Sequence, residues 1–215
     1  MSSIAARDHF ERAFAALPLV AILRGLDPDD AVAIGGALVD AGFRLIEVPL
    51  NSPEPLRSIE RLARAFPEAF VGAGTVLTPT DAVAVHRAGG RMIVAPNFDA
   101  SVVAEAVRLG AVALPGVATP SEAFAALSAG AAALKMFPAE MIPPAAVKAV
   151  RAVLPRSVRL LPVGGISLDN MDAYRRAGAN GFGIGSSLFQ PGAGADEVRG
   201  RAQRWAEAWR AGHSV

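Results

Sequence analysis

From residue 18 onward the chain repeats one pattern about every 20 to 25 residues: a short apolar run rich in Val, Ile or Leu, a Gly or Pro break, then an amphipathic stretch. The runs are LVAILR (19–24), RLIEVPL (44–50), FVGAGT (70–75), MIVAP (92–96), AVALPG (111–116), AAALKMF (131–137), VRLLPVGG (158–165) and GFGIGS (181–186). They predict eight strands, with helices between them. In DPDDAVAIGGALVDAG, Asp27 is placed as the N-cap, Pro28 at the first helical position and Gly42 just past the end. Gly89, Gly110, Gly130 and Gly178 also precede strands, where a left-handed residue closes a helix. Eight such units in roughly 170 residues predict an α/β fold, a closed (β/α)8 TIM barrel. An open doubly wound sheet alternates in the same way, but no early strand carries a GxGxxG fingerprint. The expectation is one domain over residues 1–215. A helix within the first 18 residues caps it, and a C-terminal helix packs Trp205 and Trp209, four apart, against the barrel or a neighbour.

Composition narrows the class. Hydrophobic residues make up 52% and charged residues 19%, which excludes disorder and suits a large interior or a subunit interface. A formal charge of +1, without a basic stripe, argues against nucleic acid as a partner. The absence of cysteine excludes disulfides, thiolate metal sites and a cysteine nucleophile. Arg7, Asp8, Glu11 and Arg12 interrupt the apolar start, unlike a signal or transit peptide. No uncharged apolar run reaches the ~18 residues of a membrane span. These features predict a cytoplasmic protein that does not engage a membrane.

Two charges then stand out, because strands of a parallel barrel are covered on both faces and read as apolar runs. Glu47 lies between Ile46 and Val48, and Lys135 between Leu134 and Met136. If the apolar neighbours pack under helices, alternation turns both charges inward, where strands 2 and 6 face each other across a small barrel. A buried ion pair is the bland reading, though desolvation makes it a weak source of stability. The chemical reading is that an apolar site favours the neutral amine, which attacks a ketone to form an imine, while the carboxylate moves protons. Lys135 and Lys148 are the only lysines among 21 cationic side chains. Lys148, in the amphipathic PAAVKAVRAVLP beside Arg151, reads as a solvated surface cation.

Other polar features fall at strand C-termini, where barrels carry function. Arg24 is placed to hold a carboxylate bidentately or to be a plain surface charge. Thr75 reads equally as a helix cap or a substrate ligand. Pro115 and Gly116 end the fifth strand, where glycine lets a substrate approach the backbone. VGGIS (163–167) and GIGSS (183–187) sit where barrels build phosphate sites from backbone N–H groups and a helix N-terminus; Gly164, Gly165, Gly185 and Ser186 are its expected parts. His9, His86 and His213 lie on expected helices or the tail, so neither a metal site nor a cofactor is expected.

From Pro18 to about Pro191 the chain resembles the class I 2-keto-3-deoxy-6-phosphosugar-acid aldolases: VAILRG, EVPLNSPE, VGAGTVL, LPGVATPSEA, LKMFPAE and VGGIS occur in that family's order. The resemblance implies a (β/α)8 homotrimer that reversibly cleaves a phosphorylated keto-deoxy sugar acid to pyruvate and D-glyceraldehyde 3-phosphate. It implies Lys135 as the Schiff-base residue and Glu47 as the acid/base, with Arg24 and Thr75 holding the pyruvate portion and the four loop residues the phosphate. Asn51 stands where the gluconate branch typically has arginine, and Val163 where that branch usually has threonine. With Arg24 these favour the galactonate branch, the gluconate derivative or both remaining the alternative. A phosphosugar epimerase or isomerase and a noncatalytic phosphosugar-binding protein are the readings from other classes.

Overall fold

The computed structural model describes residues 3–212, so His213 and the end of the expected tail lie outside the described residues. Parallel strands alternate with helices: β1 (Leu19–Ile22), β2 (Leu45–Pro49), β3 (Phe70–Gly74), β4 (Met92–Val94), β5 (Val112–Leu114), β6 (Gly116–Val117), β7 (Leu134–Met136), β8 (Leu160–Pro162) and β9 (Phe182–Ile184). Six form one sheet, ordered β5-β4-β3-β2-β1-β9, and β6-β7-β8 form a second. Backbone hydrogen bonds join the sheets at both ends: Ala132 N–H donates to Ala113 O at 3.0 Å, and Asn180 N–H to Leu160 O at 2.9 Å. The fold is therefore mixed α/β with a curled parallel sheet.

The helices are α1 (Ser3–Ala16), α2 (Ala31–Asp40), α3 (Pro55–Ala65), α4 (Pro79–Arg87), α5 (Ala100–Arg108), α6 (Pro120–Ser128), α7 (Pro144–Val153), α8 (Met171–Arg176) and α9 (Ala195–Ala211). Local chemistry sets their ends. Thr78 with Asp81 and Thr119 with Glu122 form capping boxes ahead of α4 and α6, each with Pro at the first turn. Gly42, Gly89, Gly110, Gly130 and Gly178 all have positive φ, as helix-closing glycines require.

Two apolar layers result. Ile46, Val48, Leu134 and Met136 join an outer layer with residues of the surrounding helices. Val20, Leu45, Phe70, Val94, Leu114 and Leu161 form an inner layer with Ala6, Phe10, Ala13 and Phe14 of α1. Helix α1 thus plugs the inner core, as expected of a capping helix. Trp205 and Trp209 are buried on α9, and Trp209 meets Phe182 edge-on at 6.1 Å.

Three local expectations are corrected. Helix α2 begins at Ala31, not beside Asp27: Asp27 accepts the Asp29 N–H at 2.9 Å and the Asp30 N–H on its carbonyl at 3.1 Å, which makes 28–30 a turn. The fifth run is split into β5 and β6 at Pro115, which has no N–H for the ladder. After β9 there is one turn, closed by Leu188 and Phe189 N–H groups on Gly185 O at 2.9 and 3.0 Å, and no helix starts until Ala195.

Candidate active site

One cavity opens inside the strands, lined by Val20, Ile22, Val94, Leu114, Leu161, Val163 and Gly183 together with Glu47 and Lys135. The two charges are thus brought into the same apolar space. Glu47 reaches it from β2, whose Ile22↔Glu47 and Glu47↔Gly72 registers put it between β1 and β3. Lys135 reaches it from β7, held between Gly116 and Leu161. The Pro115 carbonyl accepts the Lys135 N–H at 3.0 Å, so this predicted residue positions the lysine's strand.

Burial governs both groups. Glu47 is 2% and Lys135 7% exposed. Desolvation raises the Glu47 carboxyl to about 7, against the opposing pull of Lys135 and Arg24. Desolvation likewise lowers the Lys135 ammonium; Glu47 opposes the change and Arg24 adds to it. No ion pair joins the two among the described residues, and Glu47 Oε2 is buried with no hydrogen-bond partner. An orphaned carboxylate oxygen beside a desolvated amine is expensive structurally and apt for proton transfer. Lys135 Nζ lies 4.6 Å from the centre of the Phe137 ring, whose face favours a cation. By contrast, Lys148 is exposed on α7.

Arg24 stands in the turn two residues beyond β1, exposed, with Nη1 donating to Asn51 Oδ1 at 2.7 Å. Thr75 follows β3 with φ +57 and is half-buried. It is not a helix cap, because Thr78 caps α4. A non-glycine residue in left-handed backbone costs of order 1 kcal/mol, and such strain clusters at functional sites.

The two glycine loops come together: Val163 bridges to Gly183, and Ser187 Oγ approaches Ile166 O at 3.5 Å. Gly164 and Gly165 have φ +105 and +61. Asn170 braces their loop, accepting the Ser167 N–H at 2.9 Å and donating to Gly165 O at 2.8 Å. A Cβ on Gly185 would meet nothing within 4 Å, so the backbone there faces open space before Ser186.

Sequence reasoning missed three neighbours. The Glu140 carboxylate packs over Gly164, where an added Cβ would lie 2.3 Å from Oε2. Gly74 does the same for Glu47, and Phe137 covers Lys135. Only Phe137 had a sequence signal, since i and i+2 share a strand face. Among the described residues no three His, Asp or Glu side chains gather as a metal site, and no helix is long and apolar enough to cross a membrane.

Comparison with known proteins relates the whole chain to others. Residues 10–198 match the family described as "Aldolase: KDPG and KHG aldolase". A probable 2-dehydro-3-deoxy-6-phosphogalactonate aldolase of Rhizobium meliloti (strain 1021) is 48% identical over 186 residues, covering 86% of this chain and 88% of its own. The 2-dehydro-3-deoxy-6-phosphogalactonate aldolase of Escherichia coli (strain K12) is 44% identical over 195 residues, covering 90% and 95%. A solved structure titled "Native KDPGal structure" superposes with a TM-score of 0.91 at 42% identity, covering 93% of this chain and 97% of that one.

Proposed function

Because the chain belongs to the KDPG and KHG aldolase family, we propose that its cavity carries out class I aldol cleavage on Lys135. The enzyme is an aldolase, a lyase that splits 2-dehydro-3-deoxy-6-phosphogalactonate into pyruvate and D-glyceraldehyde 3-phosphate; the galactonate assignment follows its two named relatives. The observation that carries the mechanism is that a buried amine and a buried carboxylate with one unpartnered oxygen share one apolar cavity.

The neutral Lys135 amine adds to the C2 ketone and water leaves, giving an iminium ion. Glu47 takes the proton of the C4 hydroxyl, directly or through a water. The C3–C4 bond breaks, its electron pair moves into the iminium to form an enamine, and the aldehyde departs. Protonation of the enamine at its terminal carbon and hydrolysis release pyruvate and restore the amine. Arg24 and Thr75 hold the pyruvate end, with Val163 packing beside it. The N–H groups of Gly164, Gly165, Gly185 and Ser186 receive the distal phosphate. The two sheets, with their connecting hydrogen bonds, are read as one closed (β/α)8 barrel forming a single domain over residues 1–215. Exposed Phe124, Met141 and Val153 suit burial between subunits of a homotrimer, working in the cytoplasm.

Incubation with pyruvate and borohydride tests the central step. A reduced adduct on the peptide holding Lys135 is expected; an active enzyme with no adduct, or with one on Lys148 alone, contradicts it. Retro-aldol assays on both C4 epimers, following pyruvate, test the substrate: the galactonate derivative is expected to turn over faster, and equal rates would remove the distinction.

A further inference from the structure

The segment after β1 is tied to the loop after β2 and to helix α3 at several points. Gly25 N–H donates to Ser52 Oγ at 2.9 Å, Arg61 Nη1 reaches Asp29 at 2.7 Å and Pro28 O at 2.6 Å, and Arg57 Nη2 reaches Asp29 at 3.3 Å. The remaining tie is Arg24 Nη1 to Asn51 Oδ1 at 2.7 Å. Of the three arginines making these ties, Arg24 alone takes an uncharged side-chain partner; Arg57 and Arg61, on α3, both reach the Asp29 carboxylate. Arg24 follows Ile22, which lines the cavity, by two residues, and its charge acts on both Glu47 and Lys135.

We propose that Asn51 is the positioning residue for the carboxylate end of the site: it orients Arg24 as a neutral acceptor and leaves the whole guanidinium charge for an anionic substrate group. Arginine can only donate, so the Asn51 amide must turn its oxygen toward Arg24, and its NH2 remains as a second donor. An aspartate there would make the same bond, but as an ion pair it would cancel the charge and compete with the incoming carboxylate. Asn51 therefore selects keto acids over neutral ketones. This inference rests on the reading of Lys135 as the imine-forming residue.

The test compares trapping of pyruvate and of its uncharged amide by borohydride on the full chain, in the unaltered enzyme, Asn51→Asp and the similarly sized Asn51→Leu. Pyruvate is expected to need roughly tenfold more for half-maximal adduct in Asn51→Asp and about threefold more in Asn51→Leu, the scale of a charge-assisted bond lost or misdirected. Pyruvamide is expected to stay within about twofold in both. Pyruvate binding unchanged in both variants, or equal weakening of acid and amide, overturns the proposal. Absence of any Lys135 adduct in the unaltered enzyme would instead refute the imine reading itself.

Discussion

A Cβ on Gly74 would stand 1.7 Å from Oε2 of Glu47, so the buried carboxylate occupies the space that a side chain at the end of β3 would fill. Gly74→Ala should push Glu47 out of position. The obstructing atoms are the far end of a side chain, so the backbone should survive. Turnover is expected to fall by about 10²-fold or more, the scale of a displaced general base, while pyruvate still forms its adduct on Lys135. Loss of adduct and activity together would show that the substitution damaged the site as a whole.

Glu47 also predicts a pH dependence. Its carboxyl titrates at about 7 when folded, against 4.5 as its ordinary value. Below both values folded and unfolded chains hold the proton equally; above both, only the folded chain bears a buried charge. Its contribution to stability therefore declines as pH rises from 4.5 to 7, by about 3 kcal/mol in all at 1.36 kcal/mol per unit. Denaturant unfolding of the enzyme and Glu47→Gln at pH 5 and pH 8 isolates this. The unaltered protein should lose stability relative to the variant on going to pH 8, while its turnover rises through pH 7 as the base ionises. A constant difference in stability would mean that Glu47 titrates normally.

Lys135→Met exposes the cost of the buried amine. Lys135 lowers the Glu47 pKa, so its removal should raise that carboxyl further and leave it protonated at neutral pH. Methionine fills similar space without a charge to desolvate. The variant should be inactive yet melt a few degrees higher at pH 7, and its stability should hold to higher pH. A lower melting temperature would show that Glu47 and the Phe137 ring more than repay the ammonium's desolvation.

The legible part of the molecule was whatever one segment decides alone. Lys135 and Glu47 were readable because a charge flanked by Leu134 and Met136, or by Ile46 and Val48, has one orientation that keeps its neighbours dry. The closing glycines were readable because helix termination is local. The end of α2 was legible at Gly42 and its start was not: Asp27, Pro28 and Asp30 suit a turn as well as a first helical turn, and the competing Asp27–Asp29 bond settles it. Pairings between segments were hidden. Nothing in VGAG reveals that Gly74 makes room for a carboxylate on β2, and nothing in FPAE reveals that Glu140 covers Gly164, because both follow from register between strands and loops far apart in sequence.

That second pairing bears on how the distal phosphate is held. Gly165 has φ +61, tolerable for a few residue types, and an added Cβ would lie 2.8 Å from Glu140 Cγ, a flexible side chain that can yield. Gly165→Ala should therefore fold, at a cost of about 1 kcal/mol for a left-handed alanine. The loop N–H groups should shift enough to raise KM for the phosphorylated substrate by about tenfold, one charge-assisted hydrogen bond's worth. Pyruvate trapping on Lys135 should stay unchanged, because the residues proposed to hold pyruvate, Lys135, Arg24 and Thr75, sit on or just after other strands. Gly185→Ala is the control on the neighbouring loop: its Cβ would enter open space, so it should leave stability intact and weaken phosphate-bearing substrate alone. If both alanine variants bind the phosphorylated and pyruvate-only ligands as the unaltered enzyme does, the phosphate is held elsewhere on the rim.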